Sequence, residues 1–257
     1  MPSHNNHSEH ERTIIQQFTQ QAIPFVELPA HADAIDALIA MSKVNAHDTV
    51  LDVACGPGLV ACEFARFAQH VTGIDITPKM IEEAQKRQQA LSLNNIDWRQ
   101  GSALPLPYPD NHFSMVITRY SFHHFINPRA LLDEMIRVCQ PKGTLLIADV
   151  ALPTPHTKLY DRMEKLRDPS HVHALSQQEW EDLLQSSGLN HLQKSEYKVH
   201  LELEAQLKAS FPDKNDVDEI RQIFLHDVTA QQLGIDTRME NHQIHFSYPI
   251  SIFVGTK

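Results

Sequence analysis

The chain has 257 residues, 42% of them apolar, which is enough to bury a substantial core in one large domain or two small ones. A formal net charge of −10 argues against nucleic acid or an anionic membrane surface as the main partner. Three cysteines, Cys55, Cys62 and Cys139, are too few for a disulfide framework and lack paired metal-ligand spacing, and no apolar run approaches the roughly 20 residues of a membrane span.

In chain order, the opening "MPSHNNHSEHERT" has no signal-peptide core, which points to a cytoplasmic protein. Residues 1–10 read as a disordered tail, with metal binding by His4, His7 and His10 as the alternative. The stretch "ERTIIQQFTQQAIPF" (11–25) sets Ile14, Ile15, Phe18 and Ala22 at helical spacing, and residues 11–45 form N-terminal cap helices. "TVLDVA" (49–54) is a strand and leads into a helix from Gly58 to about Gln69. "VTGID" (71–75) is a second strand; Thr77-Pro78 then supplies an N-cap and first-turn proline for a helix to about Leu91. "IDWRQ" (96–100) and "FSMVIT" (113–118) are strands three and four, and Asn127-Pro128 starts a helix to about Cys139. "GTLLIADV" (143–150) reads as a fifth strand, apolar throughout.

Near-continuous apolar strands separated by helices predict an α/β fold, a doubly wound, mostly parallel sheet with its ligand at the strands' C-terminal edge. The last third departs from this alternation. A helix over about 176–187 ends at Gly188, "LQKSEYKVH" is a strand, and "HFSYPISIFVGT" (245–256) is the last strand, together suggesting an antiparallel edge. Residues 201–244 between them form a helical lid or insertion, or else padding over a sheet edge, within a single domain over 11–257.

The turn Gly56-Pro57-Gly58-Leu59-Val60-Ala61 fits the nucleotide pattern G-x-G-x-x-A. It follows a strand and opens a helix, and Asp75 ends the next strand, where a carboxylate accepts both hydroxyls of a ribose. Asp52, four residues before Gly56, puts a second carboxylate beside the turn. That charge opposes a pyrophosphate and favours a ligand carrying positive charge. S-adenosylmethionine has a ribose, an adenine, an α-ammonium and a sulfonium, and no phosphate.

From these residues the chain resembles a class I S-adenosylmethionine-dependent methyltransferase, of the branch typified by the ubiquinone/menaquinone-biosynthesis methyltransferases. The likeness runs from about residue 47 to 150 and continues more weakly through 164–180. It implies a Rossmann-like methyltransferase fold with S-adenosylmethionine as cofactor. "VLDVACGPG" resembles the motif that contacts the methionine part, carrying Asp52, Ala54, Cys55, Gly56 and Gly58. In "GIDITPKM" the resemblance assigns Asp75 to the ribose, with Ile76 and Met80 flanking the adenine. "GSALPLPYPDNHF" resembles the adenine-binding segment and carries Gly101, Ser102 and Ala103. The family usually has an aspartate where Ser102 stands, so that contact loses charge assistance. The resemblance also implies that the N-terminal helix caps the cofactor with Phe18 inward; packing on the sheet edge is the alternative.

Methyl transfer needs alignment, exclusion of water and, for an acceptor that must lose a proton, a base. Arg119 ends the fourth strand and is a candidate ion-pair partner of the cofactor carboxylate, or a structural arginine. His123 and His124 in "RYSFHHF" are the candidate catalytic bases, with packing or helix initiation as the plain alternative. Tyr120 and Phe122 line a substrate pocket or pack in the core, and His171 and His173 rank behind His123. The expected acceptor is a small molecule, a secondary metabolite or quinone-like compound, methylated on O, N or C. A tRNA or protein methyltransferase, a cofactor-binding protein without catalysis, and an NAD-dependent oxidoreductase are the alternatives. No metal site is implied by the spacing of carboxylates and histidines.

Overall fold

The apolar runs become the middle of one sheet. The computed structural model describes residues 8–27 and 34–257. Strands β1 (Thr49–Val53), β2 (His70–Asp75), β3 (Ile96–Gln100), β4 (Phe113–Arg119) and β5 (Cys139–Val150) run parallel. They are joined by helices α3 (Leu59–Phe64), α4 (Pro78–Ala90) and α5 (Pro128–Val138). Consecutive residues of each strand face opposite layers. Val50, Met115, Ile117 and Leu146 enter one apolar core, and Leu51, Val53, Val116 and Ile147 enter the other.

The sheet order is β3-β2-β1-β4-β5-β8-β6. β8 (Gln243–Thr256) lies antiparallel to β5, and β6 (Asn190–Glu202) lies antiparallel to β8. The C-terminal strand is therefore interior and β6 is the edge. The residues explain the choice: Ile250 to Val254 are buried, whereas the first half of β6 is exposed and polar. The short strand β7 (Arg238–Glu240) pairs with β8.

Several expectations need correction. Helix α1 (Glu9–Glu27) starts inside the stretch expected to be a tail; Ser8 and Glu11 cap it reciprocally, Ser8 N–H donating to Glu11 Oε2 at 2.9 Å and Glu11 N–H to Ser8 Oγ at 3.2 Å. His10 is part of this helix, while His4 and His7 lie outside the described residues. Helix α2 (Ile35–Ser42) precedes the sheet. Helix α3 ends at Phe64 rather than near Gln69, because Asn95 Nδ2 donates to the carbonyls of Ala65 (2.8 Å) and Ala68 (3.1 Å) and closes the turn there. Strand β5 is not apolar throughout: Asp149, 1% exposed, is buried in it. Helix α6 (Thr154–Arg167) was not anticipated, although Leu159, Tyr160, Met163 and Leu166 recur at helical spacing. Helix α7 (Gln177–Gln185) follows, started by a Ser176–Glu179 capping box.

Residues 201–244 contain α8 (Leu203–Ser210), α9 (Val217–Ala230) and β7. Helix α8 is tied to α1 by Gln17 and Gln21, whose Nε2 atoms donate to the Ser210 carbonyl at 2.6 and 3.2 Å. Helix α9 packs on α6 and β8.

Candidate active site

β1 and β4 are neighbours, with Asp52 opposite Ile117, yet their crossovers lead to opposite sides of the sheet. Such a switch point leaves a crevice at the C-terminal strand ends. Here the crevice is a cavity of about 270 Å³. Twelve of the residues expected at the cofactor line it: Phe18, Asp52, Ala54, Cys55, Gly56, Asp75, Ile76, Met80, Gly101, Ser102, Ala103 and Arg119. Gly58 does not. A Cβ there would stand 2.7 Å from the Trp98 ring and 3.1 Å from Ala84, so this glycine lets α3 approach β3 and α4.

The glycine turn is not a phosphate cradle. Cys55 N–H donates to the Ile74 carbonyl (3.0 Å), Gly58 N–H to the Cys55 carbonyl (3.1 Å) and Gly56 N–H to Asp75 Oδ2 (2.9 Å), and Pro57 has no N–H. Gly56 has φ +53° with open space around it, so backbone conformation rather than crowding favours glycine there. Asp75 Oδ1 accepts Thr77 N–H at 2.8 Å. Each Asp75 oxygen thus keeps lone-pair capacity for a hydroxyl, and the two N–H bonds fix the carboxylate in place. Burial raises the Asp75 pKa, against these two bonds.

At the other end of the cavity lies Asp52, 2% exposed, with Oδ2 making no hydrogen bond among the described residues. Burial pushes its pKa up to about 7, partly offset by the nearby Arg119 charge. The Arg119 guanidinium stands 4.6 Å over the Tyr120 ring. A buried carboxylate with one oxygen unbonded among the described residues, and a cation beside it, suit the ammonium and carboxylate of an amino acid. The residues present therefore fit S-adenosylmethionine: Asp75 would accept the ribose hydroxyls, and Asp52 and Arg119 would face the methionine part. Ala54 (φ +55°) and Tyr120 (φ +56°), which follow β1 and β4, both adopt the left-handed region that non-glycine residues usually avoid. Such strain concentrates where function over-determines the backbone.

A second cavity of about 90 Å³ adjoins the first, sharing Phe18, Tyr120 and His124 with it. His123 lines it, its Nδ1 2.6 Å from Asp149 Oδ1. Asp149 also accepts Val150 N–H on Oδ1 (2.7 Å) and Phe122 N–H on Oδ2 (2.8 Å). Burial alone would lower the His123 pKa; the Asp149 charge and hydrogen bond outweigh it and raise the pKa above the ordinary value of 6.5. His124 behaves differently. Its Nδ1 lies 3.1 Å from both the Ser170 carbonyl and hydroxyl, and burial together with the His123 charge pushes its pKa down to about 3. Glu164, Arg167 and Asp168, at and just beyond the C-terminal end of α6, complete the polar wall with Tyr248 of β8, whose hydroxyl donates to Glu164 at 2.7 Å.

The remaining candidates lie elsewhere. His171 and His173 bond Asp161 of α6 at 2.7 and 2.6 Å and tie the following loop to that helix; neither lines a cavity described here. Phe122 packs against Trp180 at 5.0 Å in the core. Among the described residues no group of three His, Cys, Asp or Glu side chains is placed to hold a metal ion.

The comparisons with known proteins support a class I S-adenosylmethionine-dependent methyltransferase. Residues 51–147 match the family described as Methyltransferase domain. The chain is 28% identical over 210 residues to the uncharacterized methyltransferase YcgJ of Bacillus subtilis, covering 81% of this chain and 82% of that protein. The crystal structure of YcgJ superposes with a TM-score of 0.80 at 25% identity, over 87% of this chain and 97% of that one. The ubiquinone/menaquinone biosynthesis C-methyltransferase UbiE of Roseobacter denitrificans is 32% identical over 131 residues, which is 49% of this chain and 52% of that protein. The match to UbiE thus spans about half of each chain.

Proposed function

We propose that the chain methylates a small molecule bound in the second cavity, and that His123 takes the proton this acceptor loses. The observation that carries this reading is the shared wall of Phe18, Tyr120 and His124: a molecule in the smaller cavity abuts one in the larger. About 90 Å³ among α1, α6, α8 and β8 suits a compact acceptor group. Bound S-adenosylmethionine supplies a methyl group already activated by its sulfonium. The chain's own task is to align the acceptor and exclude water. Asp149 accepts the Nδ1 proton of His123, which leaves Nε2 as the basic nitrogen of the neutral ring. His124, neutral across the physiological range, serves as wall. Residues 201–244 act as the lid, Gln206 and Ala209 of α8 closing one side.

UbiE is named as a C-methyltransferase of quinone biosynthesis, which favours an acceptor with an acidic ring carbon, enol or phenol. None of the described helices is long and apolar enough to cross a membrane, and a cytoplasmic location belongs to the same reading.

The test is release of S-adenosylhomocysteine against a panel of phenols, enols, quinols and small amines. At least one small acceptor should turn over. His123→Gln should slow it about 10²–10⁴-fold, the usual effect of removing a general base, while cofactor affinity stays near wild type. The base works only when neutral, so the wild-type rate should rise with pH through an inflection above 6.5, the direction in which Asp149 moves His123. Turnover with RNA or protein alone would refute the small-molecule reading, and near-wild-type rates for His123→Gln would refute the base.

A further inference from the structure

Helix α1 and the residue before it border the larger cavity, with Ser8, Glu11, Ile14 and Phe18 among its lining. Glu11 Oε1 accepts a hydrogen bond from Ser102 Oγ at 3.0 Å, across 91 positions of chain. Ser102 Oγ also accepts Leu104 N–H at 3.1 Å and stands 3.2 Å from the Leu104 carbonyl. The serine has one proton, directed to Glu11 or to that carbonyl, and one lone pair engaged by Leu104. It reads an incoming amine poorly. The glutamate it holds is a charged acceptor, and charge-assisted bonds are roughly twice as strong as neutral ones.

The position matters. Asp75 pairs with Gln100 across β2 and β3, so the residues after each strand, Ile76 and Gly101–Leu104, border the same end of the cavity. Asp52 and Arg119 occupy the other end. A base attached to a ribose at Asp75 and directed away from the methionine end enters the space beside Met80, under Ile14 and Glu11.

We propose that Glu11 is the hydrogen-bond acceptor for the adenine amino group, with Ser102 positioning its carboxylate. The inference rests on the cofactor placement given above. It makes the N-terminal helix the element that reads the base, and it supplies from another part of the chain the carboxylate missing at position 102. The competing role for Glu11 is purely local, as one half of the Ser8–Glu11 cap.

The experiment is calorimetry of the full chain with two ligands: S-adenosylhomocysteine, and S-inosylhomocysteine, in which a keto oxygen replaces the amino group. Wild type should prefer the adenosyl compound roughly tenfold or more, the worth of a bond to a charged group. Glu11→Gln keeps a side chain able to complete the cap but loses the charge and offers a donor of its own, so the preference should collapse or reverse. Ser8→Ala removes only the hydroxyl half of the cap, leaves the Ser8 N–H bond to Glu11, and should keep the preference. The readout is a ratio of affinities within one variant, so partial unfolding cancels. Wild-type indifference between the ligands, or a wild-type preference retained in Glu11→Gln, overturns the proposal. Asp75→Ala reports separately on the placement: it should weaken both ligands alike, and unchanged affinities there would bring down the placement and the proposal together.

Discussion

At Asp52, stability and binding pull in opposite directions. Its pKa rises from an ordinary 3.8 to about 7 because the carboxylate is buried and Oδ2 has no partner among the described residues. The folded chain then holds a proton that the unfolded chain releases, so stability falls as pH rises from about 4 to about 7 and stays lowered above that. At 1.36 kcal/mol per unit, the cost at pH 8 is on the order of 4 kcal/mol. Asp52→Asn should therefore melt higher than wild type at pH 8 in the absence of cofactor, and the gap should close toward pH 4. The same substitution should weaken S-adenosylhomocysteine binding, because the ammonium loses its counter-charge. A melting difference that ignores pH, or an unchanged affinity, would contradict this assignment. The buried His123–Asp149 pair shows the opposite arrangement, where each charge has a partner and burial is compensated.

At the scale of elements, glycine holds the layers together by its absence of a side chain. A Cβ on Gly73 of β2 would lie 2.4 Å from the Trp98 ring, while Trp98 Nε1 donates to Gln88 Oε1 of α4 at 2.6 Å. The indole thus fills the space that Gly58 and Gly73 leave open. Gly73→Ala should cost about 1–3 kcal/mol in urea unfolding, the usual penalty of overpacking, and Trp98→Leu in the same chain should recover part of it. A neutral Gly73→Ala would show that β3 shifts freely. Strands β1 to β4 were legible because their periodicity and turn residues act locally; Thr77 and Asn127 mark helix starts for the same reason. Helix α6 was missed because its buried face mixes Tyr160 and Met163 with Glu164. The end of α3 was missed because it is set by Asn95, some thirty residues on.

For the molecule as a whole, the larger cavity was readable residue by residue and the smaller one was not. Asp52, Gly56 and Asp75 belong to one strand–turn–helix–strand unit, so the pattern contains their geometry. The wall around His123 is assembled from α1, β5, α6, α8 and β8, and its central contact, Asp149, sits in a strand that reads as apolar. The Glu11–Ser102 bond likewise depends on how α1 docks, which no local pattern encodes. Fold alone does not establish chemistry, so the account rests on the carboxylates at the switch point.

The most direct test of that claim is calorimetry of S-adenosylhomocysteine with the full chain, wild type beside Asp75→Ala, without added divalent metal. Wild type should bind one ligand per chain, and should bind it more tightly than NAD. Each lost bond to the Asp75 carboxylate is worth roughly 1.5–3 kcal/mol, so the variant, folded by its melting curve, should bind at least about tenfold more weakly. An unchanged dissociation constant in folded Asp75→Ala, or tighter binding of NAD by wild type, would contradict the account.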